Sequence, residues 1–176
     1  MQRLENKVCL VTGGASGIGR ACAVALAAEG AMVVVADLDE HGGTETCAEI
    51  ERAKGVARFR RLDVAEEPGW ISAMDWVRRE FGALHVLVNN AGVCIAMPLL
   101  DMPLQTWRRQ MAINLDGVFL GTKAALPLMA AAGGGSIVNV SSVAGLKGIA
   151  GLSGYCATKG GVRLFTKAVA LECAQA

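Results

Sequence analysis

Four prolines, one tyrosine and two histidines in 176 residues are few, and each scarcity excludes something. With so little proline the chain is no collagen-like or polyproline spacer. The two histidines, His41 and His85, stand apart from each other and from any cysteine cluster, and read as structural. The six cysteines form no CxxC pair and show no metal-ligand spacing, so no metal site is expected. Most of them (Cys9, Cys22, Cys47, Cys94, Cys156, Cys173) fall in apolar patterns, where a free thiol behaves as a small hydrophobe. That usage predicts a protein of a reducing, cytoplasmic compartment. Cys156 is the one thiol whose position, beside Tyr155, raises the question of reactivity; an inert role is expected.

Charge of one sign is lacking as well. Lysine and arginine number 17 against 16 acids, a net charge of +1. The pairs Arg60-Arg61, Arg78-Arg79 and Arg108-Arg109 are scattered and read as solvated faces, so no nucleic-acid partner is expected. No apolar run approaches the ~18 residues of a membrane span. The polar stretch Met1–Lys7 runs into a strand without a secretory pattern.

What is present is a core-rich balance, 53% hydrophobic and 19% charged. The length suits one domain over residues 1–176. Glycine is the excess, 22 of 176 residues against a usual ~7%, and much of it follows predicted strands. Short apolar runs alternate with amphipathic segments. Strands are predicted at Lys7–Thr12, Ala31–Ala36, Val56–Leu62, His85–Asn89 and Ser136–Ser141. Helices are predicted at Ile18–Glu29, Glu40–Lys54 and Glu66–Phe81, with Pro68 in a first turn. A broken or double helix is expected over Leu104–Ala132, bent by Pro127 near its end and stopped by Gly133-Gly134-Gly135. A last helix runs from about Tyr155 to the end. Alternation of this kind means α/β: a doubly wound parallel sheet of Rossmann type with helices on both faces, in three layers. The polar third strand suits an edge.

Thr12-Gly13-Gly14-Ala15-Ser16-Gly17-Ile18-Gly19 closes the first strand and opens the first helix. Glycines there let the backbone approach a pyrophosphate, and the helix N-terminus offers free N–H groups and a positive dipole end. Asp37 ends the second strand, 18 residues after Gly19, where a dinucleotide fingerprint places an acid about 20 residues on. A carboxylate there accepts ribose hydroxyls and repels a 2′-phosphate. No Lys or Arg lies within Gly13–Gly19 or directly after Asp37, so NAD(H) is favoured over NADP(H). The loop lacks the Lys-Ser/Thr ending of a Walker loop, which argues against a kinase or nucleotide hydrolase.

Five motifs in order resemble the short-chain dehydrogenase/reductase family from about Leu4 onward. The first is TGGASGIG, whose Gly13, Ser16, Gly17, Ile18 and Gly19 would hold the cofactor, with Asp37 and Leu38 beyond. The second is Leu62-Asp63-Val64, where the resemblance places Asp63 and Val64 beside an adenine. The third is Asn89-Asn90-Ala91-Gly92, with Asn90, Ala91 and Gly92 lining the cleft. The fourth is Asn114, which would hold a water linking Lys159 to solvent. The fifth is Ser142 followed 13 residues later by Tyr155, the only tyrosine, and then Lys159. Tyr155 and Lys159 are four apart and share a helix face.

The implied chemistry is hydride transfer between a secondary alcohol or ketone, of cyclic or steroid-like kind, and nicotinamide. Tyr155 is the acid/base, Lys159 lowers its pKa and holds a ribose, and Ser142 binds the substrate oxygen. The resemblance also implies strand order 3-2-1-4-5, a dimer or tetramer, and a longer chain. Strands six and seven and the lid over the nicotinamide are expected to be missing, leaving the fifth strand with an open apolar edge and the substrate largely unspecified. A cofactor-binding module without turnover therefore stays open as an alternative.

Overall fold

The computed structural model describes residues 2–174. Its sheet has five parallel strands: β1 (Val8–Thr12), β2 (Met32–Asp37), β3 (Val56–Arg61), β4 (Val86–Asn89) and β5 (Ser136–Asn139). They lie in the order β3-β2-β1-β4-β5, as expected from the sequence. β1 is central because its residues are apolar on both faces: all five are buried. Alternation then sorts them. Val8 and Leu10 join Val34 and Leu87 on one face, whereas Cys9 and Val11 join Val33, Val35 and Val88 on the other.

The first face is covered by α3 (Glu67–Phe81) and α5 (Gly117–Ala131). Trp70, Ala73, Met74 and Val77 meet Ala125 and Met129 over the sheet. Trp70 is fully buried because its indole N–H donates to Val64 O at 3.0 Å. Its ring lies where a Cβ on residue 121 would be, 2.6 Å away, so that position must be glycine. The second face is covered by α1 (Gly17–Ala28) and α2 (Glu40–Arg52), through Ala23, Ala27, Cys47 and Ile50. Ile50 contributes roughly 1.5–3 kcal/mol on full burial, and the smaller alanines less.

Several expectations are corrected. The long helical stretch is α4 (Leu104–Met111), a π-turn over Ala112–Asp116, and α5. Its irregularity is thus at the π-turn; α5 continues past Pro127 to Ala131. β5 ends at Asn139, two residues short of the expected end. Ser142 therefore lies beyond the strand, as cap of a 3-10 turn over Val143–Gly145. The last helix, α6 (Ser153–Glu172), begins two residues before Tyr155. Its expected continuation to the chain end falls on Gln175 and Ala176, outside the described residues. α6 lies beside α5, with Phe165 edge-on to Phe119 at 6.3 Å.

The backbone ledger closes where it matters most. His85 Nδ1 accepts the Val8 N–H at 3.0 Å, starting β1. Burial and the nearby Lys7 lower its pKa, so the neutral, accepting form is the folded one. His85 is structural, as its isolation in the sequence implied. Among the described residues no helix is long and apolar enough to cross a membrane, and no cluster of acids, histidines and cysteines could hold a metal.

Candidate active site

The carboxyl ends of β1, β2 and β4 and the loop after β3 open into one cleft of about 730 Å³. A parallel sheet of this order binds ligands there, because crossovers to opposite faces part at that point. Gly13, with φ +65°, turns the chain out of β1. A Cβ on Gly13 would press on Asn90 Nδ2, and one on Gly19 would overlap the Gly13 carbonyl oxygen. These two glycines therefore serve close packing. Gly17, with φ +52°, is not held by packing: a Cβ there meets nothing within 4 Å and would stand in open space. Ser16, Gly17 and Ile18 are exposed along the cleft, and the first turn of α1 holds no acid. A pyrophosphate fits that cradle.

The cradle is braced from both sides. Arg20 donates to Ala15 O at 2.6 Å and to Gly42 O at 3.2 Å, tying the loop to α2. Asp37 Oδ2 accepts the Ala15 N–H at 3.0 Å, and Oδ1 accepts the Asp39 N–H at 3.1 Å. Each oxygen keeps a lone pair for a further donor. Leu38 is half-exposed beside it. Asp63 Oδ1 accepts the Ala65 N–H at 3.0 Å, which shapes the turn carrying Val64 into the same cleft.

Thr12, which the sequence reading did not single out, joins the two halves. Its hydroxyl donates to Val88 O and accepts the N–H groups of Asn90 and Ala91, both at 3.0 Å. Asn90 Nδ2 returns to Thr12 O at 2.9 Å. Asn89 bridges Thr122 Oγ1 and Asn139 Oδ1, fixing β5 to β4. A polar residue at a strand end was the only sequence signal for Thr12, and many such residues do nothing of the kind.

Gly92, which lines the cleft, adjoins Lys159 of the predicted catalytic set. Tyr155 stands in the first turn of α6, half-buried, and Lys159 Nζ lies 5.8 Å from its ring centroid. The two side chains are on one side of their helix. Lys159 is buried, and desolvation pulls its pKa below the usual lysine value. Its ammonium donates to Val140 O at 2.7 Å, and Ser141 Oγ donates to the Lys159 carbonyl at 2.9 Å. Ser142 Oγ accepts the Ala144 N–H at 3.2 Å, which leaves its own proton free to donate. The turn it heads packs on α6.

Asn114 is fully buried by the π-turn, a device common at functional sites. Its Oδ1 accepts Val93 N–H, and its Nδ2 donates to Val93 O, both at 2.8 Å, and to Thr158 Oγ1 at 3.2 Å. The carboxamide is thus committed to the loop after β4 and to α6. Gly92 leaves room between it and the lysine: a Cβ there would lie 3.2 Å from Asn114 Oδ1 and 3.6 Å from Lys159 Nζ. One turn earlier, Gln110 accepts Ile95 N–H at 3.2 Å. It too is fully buried, and it escaped notice because a glutamine on an amphipathic helix reads as solvated. A second cavity, of about 570 Å³, runs along the outer edge of β5, where no strand pairs among the described residues.

Comparison with known proteins places this architecture. The short chain dehydrogenase profile matches residues 7–176. The chain is 47% identical over 174 residues to cyclopentanol dehydrogenase of Comamonas sp., covering 99% of this chain and 70% of that protein. It is 46% identical over 170 residues to the 3-alpha-(or 20-beta)-hydroxysteroid dehydrogenase of Mycobacterium bovis, covering 97% of this chain and 64% of that one. The crystal structure of levodione reductase superposes with a TM-score of 0.93 at 35% identity, over 97% of this chain and 67% of that one. This chain spans about two thirds of the length of these relatives. It belongs to the short chain dehydrogenase family. Its class of chemistry is oxidoreduction at a CH–OH group with a nicotinamide cofactor.

Proposed function

We propose that this chain is the cofactor-binding and catalytic portion of an NAD(H)-dependent oxidoreductase that interconverts a cyclic secondary alcohol and its ketone, with Tyr155 as general acid/base. The observation that carries the reading is the Lys159 ammonium 5.8 Å from the Tyr155 ring centroid and next to Gly92, which lines the cleft. A phenol beside a lysine ammonium, in the first turn of a helix, is a group that can exchange a proton with a substrate oxygen.

The residues present fit a dinucleotide. Ser16, Gly17 and Ile18 would hold the pyrophosphate, Asp37 and Leu38 a ribose, and Asp63 and Val64 the adenine, with Gly13, Gly19, Asn90, Ala91 and Gly92 shaping the cleft between. Asp37 favours NAD over NADP because a 2′-phosphate would face its carboxylate. When bound, the nicotinamide takes up the hydride in the alcohol direction and supplies it in the ketone direction. Tyr155 takes the hydroxyl proton in the first case and returns it in the second. Ser142 donates to the substrate oxygen and steadies its developing negative charge. Asn114 holds the loop that carries Gly92 and Val93 against α6.

A cyclic substrate is supported by the names of the relatives, which act on cyclopentanol and on hydroxysteroids. Operation in a reducing cytoplasm, where six free thiols persist, belongs to the same reading. So does a dimer or tetramer formed through α5 and α6, whose surfaces leave Phe119, Leu164 and Leu171 exposed. The test is Tyr155→Phe: turnover of cyclopentanol with NAD⁺ falls by roughly 10²–10⁴-fold, while calorimetric NADH affinity stays at the wild-type value. Retained turnover would remove Tyr155 from its role. Dinucleotide binding by the wild type, without oxidation of cyclopentanol or a hydroxysteroid, would favour the binding-module reading.

A further inference from the structure

The cleft holds two carboxylates, Asp37 and Asp63, and a single basic side chain, Arg109. Arg109 lies on α4 and is exposed. Arg20, Arg60 and Arg78 are held by Ala15 O, Ser72 and Asp75, whereas Arg61, Arg108 and Arg163 have no such partner among the described residues and none of them lines the cleft. The Arg109 guanidinium has no hydrogen bond or ion pair among the described residues. As one of the Arg108-Arg109 pair it reads from sequence as part of a solvated helix face. The structure instead turns it, with Ala112 and Ile113, into the cleft.

On the reading proposed above, the ends of the dinucleotide are assigned by chemistry. The nicotinamide must meet Tyr155, and the pyrophosphate takes the N-terminus of α1. The adenosine is left to Asp37, Leu38, Asp63 and Val64, and α4 supplies the facing surface. Ala112, Ile113 and Val64 form an apolar surround suited to a flat ring rather than to a charged phosphate. A planar guanidinium with no carboxylate partner stacks well on such a ring.

We infer that Arg109 is a nucleotide-recognition residue, a guanidinium arm that folds over the purine of the bound dinucleotide. This rests on the proposed dinucleotide site and deepens it. The side chain acts on affinity for the adenosine half alone, and has no part in the proton chemistry at Tyr155.

The experiment is calorimetric titration of NAD⁺, 5′-AMP and nicotinamide mononucleotide into the wild-type chain, Arg109→Ala and Arg109→Lys. Arg109→Ala is expected to weaken NAD⁺ and 5′-AMP by about three- to fivefold each and to leave the mononucleotide unchanged. Arg109→Lys is expected to behave as the alanine variant does, because an ammonium lacks the planar face. Wild-type affinity for NAD⁺ in Arg109→Ala overturns the inference and leaves the dinucleotide site standing. So does a loss shared equally by the mononucleotide. Full recovery in Arg109→Lys, with steep salt dependence, assigns the residue to a phosphate and overturns stacking. A wild-type chain that binds no NAD⁺ overturns the parent reading, and this one with it.

Discussion

Replacing Asn114 by leucine isolates the polar work of one buried carboxamide. Leucine has the branching and heavy-atom count of asparagine, so no cavity opens, and its bulkier methyl groups add crowding at Val93 to the loss worked out below. Three hydrogen bonds disappear, two to Val93 at 2.8 Å and one to Thr158 Oγ1 at 3.2 Å. Thr158 keeps its donor bond to Tyr155 O and loses little. Val93 loses a partner on both its N–H and its C=O, and methyl groups face them instead. An orphaned buried group costs about 1–3 kcal/mol; because Val93 is half-exposed, the lower half of that range applies to each. The sum is roughly 3 kcal/mol, a large part of a stability of about 5–15 kcal/mol. With a urea m-value of about 2 kcal/mol per molar, the midpoint falls by about 1.5 M at unchanged m. Amide exchange at Val93 reports the same event locally and accelerates beyond the global change. A midpoint drop under about 0.5 M would mean that water satisfies Val93, and that the loop after β4 does not depend on Asn114.

Three further outcomes are expected. Asp37→Asn keeps an acceptor for the Ala15 N–H but removes the charge. Relative kcat/KM should move toward NADP⁺ by roughly fivefold, from about 1 kcal/mol of relieved repulsion, and an unmoved ratio removes Asp37 from discrimination. Gly19→Ala pushes a methyl into the Gly13 carbonyl. The melting temperature should drop by roughly 4–10 °C, from ~1–3 kcal/mol of overpacking, and NAD⁺ binding should be lost; an unchanged melting curve denies the close approach. His85 has its pKa lowered below the ordinary 6.5, so the folded state holds fewer protons than the unfolded one once pH falls below that value. Its contribution is complete above pH 6.5 and is lost on acidification toward the folded pKa. The loss of melting temperature between pH 7.5 and 5.5 should shrink in His85→Asn, which cannot titrate, and equal losses in both would exclude His85 as the cause.

The strands and the location of the cleft were legible because both rest on local signals, whereas the strand order came from the family resemblance. Runs such as AMVVVA have no polar alternation, and glycines follow strands where a backbone must turn. Boundaries were less legible. The strand at Ser136 reads as far as Ser141 by composition, but pairing with β4 runs only from Ser136 to Asn139, and pairing is a tertiary fact. The π-turn left no mark in sequence, since AINLD suits an ordinary helix; what selects it is the demand of Val93 and Thr158 for the Asn114 carboxamide. Gln110, Thr12 and Arg109 were invisible for the same reason. Each has an unremarkable solvated reading that only its surroundings overturn.

A four-residue strand at one margin of the sheet sets the position of the lysine to which the proposed chemistry is assigned. Lysine 159 is clasped twice by the residues just beyond β5, through the Val140 carbonyl and the Ser141 hydroxyl. A slip of that strand by one position would hand the ammonium a different oxygen and swing the phenol's neighbour out of place. On the proposed function, correct seating of the sheet margin is therefore a condition for proton transfer, and a misregistered molecule would be well folded through most of its core yet inert.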